Sequence, residues 1–300
     1  MTNISININD QLLKKMKTFY HDYIVTSNNK YALFIAKIDG CTITAYTSKK
    51  VLFQGKNAEA EASIWTSIKQ STIEKKCDAN QYYHPSIGSD EVGTGDYFGP
   101  VIVVSTYLDI KHQELIKNLK IDDSKKLTDQ DILLIAPKLF KILPYSLLIV
   151  NNEKYNEVMS KGDMNLNKLK AVLHKQAINN LLNKINCRPK IIIDQFCSID
   201  NFNKYISDHT FSKQVDFYTK AESKYASVAC ASMMARYTFL KEFDKLSKQY
   251  GVNLQKGASN KVDEQGLKLV NQFGSDVLMK IAKVHFKNTD KINMLFKNAK

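Results

Sequence analysis

The sequence predicts an α/β protein preceded by a smaller domain of strands and helices. Three observations carry that prediction. From residue 86 onward short apolar runs alternate with helical periodicities, the pattern of strands joined by crossover helices. One of those runs, Lys190 to Asp194, stays apolar until its final acid, as in a strand buried on both faces. Before residue 71 the order is instead helix, three strands, helix, closed by a polar, irregular stretch that ends in Pro85. At 300 residues the chain exceeds the usual single-domain size, so two unequal domains are expected: residues 1–70, a linker over 71–85, and residues 86–300.

In the first domain, the apolar spacing between Gln11 and Tyr23 predicts an amphipathic helix. Tyr31 through Thr47 alternates in the period of a strand and breaks at Asp39-Gly40, a hairpin signal. Lys50 to Gln54 fits a third strand and Ala58 to Lys69 a second helix. In the second domain, Ile87 to Asp90 and Val101 to Leu108 read as strands flanking a glycine-rich turn, and Leu147 to Val150 as another. Asn165 to Ile185 carries a helical apolar stripe. Val215 to Tyr218 is one more strand. Helices are expected over Glu222 to Tyr250, Val262 to Asn271 and Ser275 to Val284.

Charge narrows the partner. Forty-three Lys plus Arg against 30 Asp plus Glu leave a formal +13, which favours nucleic acid or another polyanion. Arg188 and Arg236 are the two arginines, so the field is made of flexible lysine point charges suited to backbone contact rather than base reading. Five cysteines without C-x-x-C spacing argue against a disulfide framework and a zinc knuckle. The N-terminus has no signal-peptide pattern, and no apolar run approaches the ~18 residues of a membrane span. A cytoplasmic protein is expected.

Residues 87 to 100 read Ile-Gly-Ser-Asp-Glu-Val-Gly-Thr-Gly-Asp-Tyr-Phe-Gly-Pro. Adjacent anions at Asp90 and Glu91 repel, and a folded site offsets that repulsion with a metal ion or cationic side chains. The glycines that follow expose backbone N–H groups to close approach by a phosphate or sugar. Asp194 ends a buried strand and Glu222 opens a helix, so both are placed toward the crevice where α/β folds bind ligands. Either alone also reads as a cap or a helix-dipole partner. Four oxygen-donor carboxylates match Mg2+ or Mn2+ better than zinc. On a phosphodiester, such a set implies two-metal hydrolysis. Ser124, Lys125 and Lys126 form a second candidate, able to donate to and neutralise a phosphate, although Asp123-Ser124 before a helical run is also an ordinary N-cap.

These motifs together resemble bacterial ribonuclease HIII, of the type 2 ribonuclease H family. The likeness rests on Gly88 through Pro100, Asp123-Ser-Lys-Lys-Leu127, Ile193-Asp194, Glu222 through Arg236 and the tail Ala282-Lys-Val-His-Phe-Lys-Asn-Thr289, and it spans nearly the whole chain. It implies a ribonuclease H-like catalytic domain that cuts the RNA strand of RNA/DNA hybrids, leaving a 5′-phosphate and a 3′-hydroxyl. Asp90, Glu91, Asp194 and Glu222 then correspond to the metal-binding catalytic acids, and Gly93, Thr94 and Gly95 to a turn that reads the ribose 2′-hydroxyl. Ser124 and Lys125, with Lys126 beside them, would hold substrate phosphates. The sister family, ribonuclease HII, typically has aspartate as the fourth acid and Gly-Arg-Gly in the turn. Glu222 and Gly93-Thr94-Gly95 depart from both patterns.

The same resemblance implies that residues 1–70 are similar to half of a TATA-binding protein and grip the hybrid, with Lys30, Lys37, Lys49, Lys50 and Lys56 on or beside its strands. The small-residue run Ala226 to Ala235, with Arg236, is read as scaffold that packs a helix closely on the sheet. A monomer is expected. Two alternatives stand beside this reading: incision at single ribonucleotides embedded in DNA, and a non-catalytic hybrid-binding protein.

Overall fold

In the computed structural model, which describes residues 2–27, 29–73, 79–119, 121 and 127–298, the chain divides into two units, Met1–Cys77 and Asp78–Lys300. The first unit begins one element earlier than its periodicity predicts. Ile4, Ile6 and Ile8 alternate with polar residues, and Thr2–Asn7 forms strand β1, antiparallel to β5 (Lys50–Gly55). Helix α1 (Asp10–Phe19) is capped by Asn9, whose side chain accepts from the Leu12 N–H at 2.8 Å, and stops at Phe19 rather than Tyr23. A 3-10 turn, His21–Tyr23, and the short β2 (Ile24–Val25) follow. Strands β3 (Ala32–Ile38) and β4 (Cys41–Tyr46) form the hairpin expected at Asp39-Gly40, where Gly40 has φ +69°. With helix α2 (Ala58–Ile73) over one face, the antiparallel sheet runs β1-β5-β4-β3-β2. Its core gathers Met16, Tyr20, Phe34, Ile43, Val51, Phe53 and Trp65.

The second unit is built on a five-stranded mixed sheet of order β10-β9-β6-β7-β8. After helix α3 (Ala79–Tyr82), strand β6 (Ser86–Val92) occupies the centre, antiparallel to β7 (Val101–Leu108), which pairs in turn with β8 (Tyr145–Val150). On its other side β6 runs parallel to β9 (Lys190–Asp194), and β9 runs parallel to β10 (Val215–Tyr218). Three neighbouring parallel strands therefore end at one edge of the sheet. Between β7 and β8 lie helices α4 (Gln113–Asn118) and α5 (Asp129–Ile142), the latter opened by a Thr128–Asp131 capping box. Helices α6 (Asn152–Met159) and α7 (Leu166–Leu182) connect β8 to β9, and α8 (Ile199–Ile206) and α9 (His209–Ser212) connect β9 to β10.

Two differences from the predicted elements bear on the site. The helix expected to start at Glu222 starts at Ala226: Lys220 adopts left-handed backbone, φ +54°, and Ala221–Ser223 form a separate 3-10 turn before α10 (Ala226–Gln249). After α11 (Asn260–Phe273), the helix expected over Ser275 to Val284 is only α12 (Val277–Ile281), because the chain straightens at Ala282 to pair with Phe98. Helix α13 (Lys287–Asn298) ends the described chain. Helix α10 covers one face of the sheet, where Ala229, Met233 and Phe239 meet Ile102 and Val104. Helices α7 and α8 cover the other, where Ile178, Leu181 and Phe202 meet Ile87, Ile191 and Ile193. Among the described residues no helix is long and apolar enough to cross a membrane.

Candidate active site

Parallel pairing brings the acids to a common edge. Ser89 is level with Ile193, so the next residues along the two strands, Asp90 and Asp194, lie side by side where β9 ends. Asp194 is in turn level with Tyr218, the last residue of β10. From there the left-handed Lys220 turns the chain back, and the Ala221 N–H donates to Asp194 Oδ1 at 2.8 Å. That bond fastens the Glu222 turn to the end of β9. Asp90, Asp194 and Glu222 line one cleft of about 310 Å3 with Ile132, Ser232, Met233 and Arg236.

Glu91 lies on the opposite face of the sheet, as adjacent residues of a strand must. Its carboxylate accepts from Lys170 Nζ at 2.6 Å and from His174 Nε2 at 2.9 Å, both on α7. Because a carboxylate can only accept, Nε2 carries the proton and Nδ1 faces Ser89 Oγ at 2.7 Å. Ser105 Oγ donates to Ser89 Oγ at 2.8 Å and closes the chain inside the sheet. The Phe196 ring stacks on His174 and lies 4.3 Å from Lys170 Nζ. No histidine lies near the acids in sequence, yet the fold supplies one in direct contact. Lys170 and His174 were not singled out by their residue types, although a spacing of four on the buried stripe of α7 was a readable signal.

The two neighbours consequently titrate in opposite directions. Burial pushes the Asp90 carboxyl well above the usual range and the Glu91 charge adds to it, against a hydrogen bond from Ser232. Burial also opposes ionisation of Glu91, but the hydrogen bonds and charges of His174 and Lys170 outweigh it and hold the group down at about 2. Asp194 is raised by burial, and the charges of Glu222 and Glu91 add to that, against the Ala221 N–H. Excess negative potential of this kind, presented by oxygen donors alone, fits a hard divalent cation. As the side chains stand, no three His, Cys, Asp or Glu among the described residues converge closely enough to hold one ion.

The turn after Glu91 is shaped by close approach. Gly93 has φ +87°, and a Cβ there would sit 2.2 Å from the Pro100 carbonyl oxygen. Gly95 differs: a Cβ would meet nothing within 4 Å. Thr94 is half-buried between them. Ser124, Lys125 and Lys126 lie outside the described residues. Arg236, read from sequence as scaffold, has its guanidinium at the cleft, held by Asp129 at 2.6 Å, which also pairs with Lys256.

Residues 87–289 match the family model described as Ribonuclease HII, and residues 3–77 match a domain of unknown function, DUF3378. Over 98% of this chain and 99% of the relative, the sequence is 45% identical to ribonuclease HIII of Bacillus mycoides. The chain belongs to the ribonuclease HIII family. The Bacillus licheniformis ribonuclease HIII is 46% identical over 97% of both chains. Among solved structures, the ribonuclease HIII termed Bst, in complex with Mn2+, aligns with a TM-score of 0.70 at 38% identity, covering 99% of this chain and 100% of that one. Ribonuclease H2 from Pyrococcus horikoshii aligns at 0.60 and 26% identity over 71% of this chain and 98% of its own. That shorter match accords with a ribonuclease H-like unit preceded, in ribonuclease HIII, by a small N-terminal one.

Proposed function

We propose that this protein is a metal-dependent endoribonuclease that hydrolyses the RNA strand of RNA/DNA hybrids, leaving 5′-phosphate and 3′-hydroxyl ends. The observation that carries the proposal is the convergence on one cleft of Asp90 from β6, Asp194 from the end of the parallel β9 and Glu222 from the turn after β10, with Glu91 beside Asp90. Asp90, Asp194 and Glu222 would hold two divalent ions, Mg2+ or Mn2+, with Glu91, whose charge reaches Asp194, as the fourth acid once it exchanges its Lys170 and His174 contacts for the metal; the Bst relative with Mn2+ supports that class of ion. Bound there, the ions would supply an activated water and neutralise the leaving oxygen.

The remaining work belongs to the chain's own residues. Lys170 and His174 keep Glu91 ionised and fixed in one orientation. The Ala221 N–H fixes Asp194, and Ser232 orients Asp90. Gly95 leaves its backbone open to a ribose, which supports reading of the 2′-hydroxyl by the Gly93-Thr94-Gly95 turn. Ser124, Lys125 and Lys126 would bind flanking phosphates. In the first unit, the sheet face away from the helices carries a polar row across four strands: Asn3 is level with Gln54, Gln54 with Thr42, and Thr42 with Lys37. Exposed Lys37 and Lys50 on this face support a role in gripping the hybrid backbone, in the manner of a TATA-binding-protein half. Lys49 is already paired with Asp10 at 2.8 Å. Cys41, Cys187, Cys197 and Cys230 are free thiols, in keeping with a cytoplasmic enzyme, and the reading needs only a monomer.

Cleavage of a labelled hybrid, alongside RNA/RNA and DNA duplexes carrying one ribonucleotide, in Mg2+, Mn2+ and EDTA tests the proposal. Metal-dependent cuts within the RNA of the long hybrid are expected. Efficient incision at the single ribonucleotide would shift the reading to ribonuclease HII-like repair, and binding without cleavage would leave a hybrid-binding protein.

A further inference from the structure

A fully buried lysine lies behind the glycine turn. Lys283 follows the short α12, and its Nζ donates to the backbone carbonyls of Asp96 at 2.8 Å and Gly99 at 2.5 Å. Its own N–H donates to the Tyr97 carbonyl at 2.8 Å, while the Gly99 N–H donates to the Ile281 carbonyl at 2.9 Å and Phe98 bridges Ala282. Main chain and side chain of one tail residue thus grip the same four-residue segment. Asn152 of α6 adds a second donor to the Gly99 carbonyl at 2.9 Å, and Asp96 Oδ1 accepts from the Gly257 N–H at 2.6 Å.

The arrangement is costly to the fold. Among the described contacts the Lys283 ammonium has two carbonyls and the Tyr155 ring, 5.7 Å away, but no carboxylate partner. Burial pushes its pKa down to about 7, only partly countered by Asp96. A methionine of similar volume removes the cost of desolvating the ammonium but takes a donor away from the Asp96 carbonyl, so the two effects on stability oppose each other. What a methionine lacks is the ability to fix two carbonyls, those of Asp96 and Gly99, one and four residues beyond Gly95.

We propose that Lys283 is a positioning residue that sets the backbone geometry of the 93–99 turn for the RNA strand. The proposal rests on the reading of that turn as the ribose-facing element. Lys283 touches neither the acids nor the cleft, so it acts on substrate recognition through the turn.

The test compares wild-type and Lys283→Met full-length protein for hybrid KM and kcat. Binding of hybrid against DNA duplex is measured on both, with thermal unfolding as the control for folding. The expected result is a KM raised about tenfold, kcat within about threefold, a reduced hybrid preference and a melt that stays cooperative. Wild type without hybrid preference would overturn the reading of the turn itself. A wild-type preference retained in full by Lys283→Met, with unchanged KM, would overturn the role of Lys283 alone. Should Lys283→Met fail to melt cooperatively, Lys283→Gln, shorter but still a donor, is put through the same comparison. If neither variant folds, the residue is structural and the proposal falls.

Discussion

Gly88 and Ser227 are in backbone contact: a methyl group on Gly88 would sit 2.2 Å from the Ser227 carbonyl carbon and equally close to the Val228 nitrogen. The central strand and α10 pack here without an intervening side chain, and the fully buried Ala226, Ala229, Cys230 and Ala231 continue the close approach. Two residues along β6 this proximity lets Asp90 meet Ser232. Gly88→Ala must push α10 off the sheet, since the obstruction is backbone rather than a movable side chain. A loss of about 3 kcal/mol or more is expected in denaturant unfolding, with activity lost in parallel. An unfolding midpoint near wild type would show that the helix yields without cost.

Asp90→Asn and Asp194→Asn are expected to lower hybrid cleavage by about a thousandfold or more, roughly 4 kcal/mol of transition-state stabilisation, with hybrid affinity largely kept. Asp90 is held above its usual range by burial and by Glu91, so removing its charge relieves repulsion. In EDTA the Asp90→Asn variant should therefore melt at or above the wild-type temperature, and added Mn2+ should raise the wild-type melting temperature more than that of the variant.

The two glycines of the turn should separate fold from recognition. Gly93→Ala places a Cβ against the Pro100 carbonyl in left-handed backbone and should destabilise the protein. Gly95→Ala meets no internal neighbour, so its melting temperature should match wild type while hybrid KM rises several-fold. Unchanged KM in Gly95→Ala would argue that the RNA does not approach there.

Lys37 and Lys50 lie on the open face of the first unit's sheet. Replacing both with alanine should weaken hybrid binding and shrink the slope of log K against log salt by roughly 2, with kcat nearly unchanged. A slope equal to wild type would remove these lysines from the phosphate contacts.

Lys283 makes stability depend on pH with a definite sign. Its folded pKa is about 7 against an ordinary 10.5, so between those values the unfolded chain binds a proton that the folded chain has released. Stability relative to Lys283→Met should then rise with pH by about 1.4 kcal/mol per unit above pH 7 and be flat below it. The groups facing Lys283 are Asp96, Tyr155 and His285. Denaturant unfolding of both proteins from pH 6 to 9 checks the difference, and a flat difference across that range contradicts it.

Sequence periodicity determined the α/β alternation, the Asp39-Gly40 hairpin and the buried strand ending in Asp194, because each is written in neighbours a few residues apart. Local patterning also marked Asp90-Glu91 and the glycine turn, since paired anions beside bare backbone are rare for any purely structural reason. Elements with short or weak stripes, such as β1 and α13, were not legible; packing against distant partners stabilises them. Only the tertiary structure decided that Asp90 turns toward α10 and Glu91 toward α7. It alone brought Lys170 and His174 to Glu91 from 79 and 83 residues away, and Lys283 to Gly99 from 184. Such meetings follow from parallel strand register and helix packing, and no local spacing encodes them.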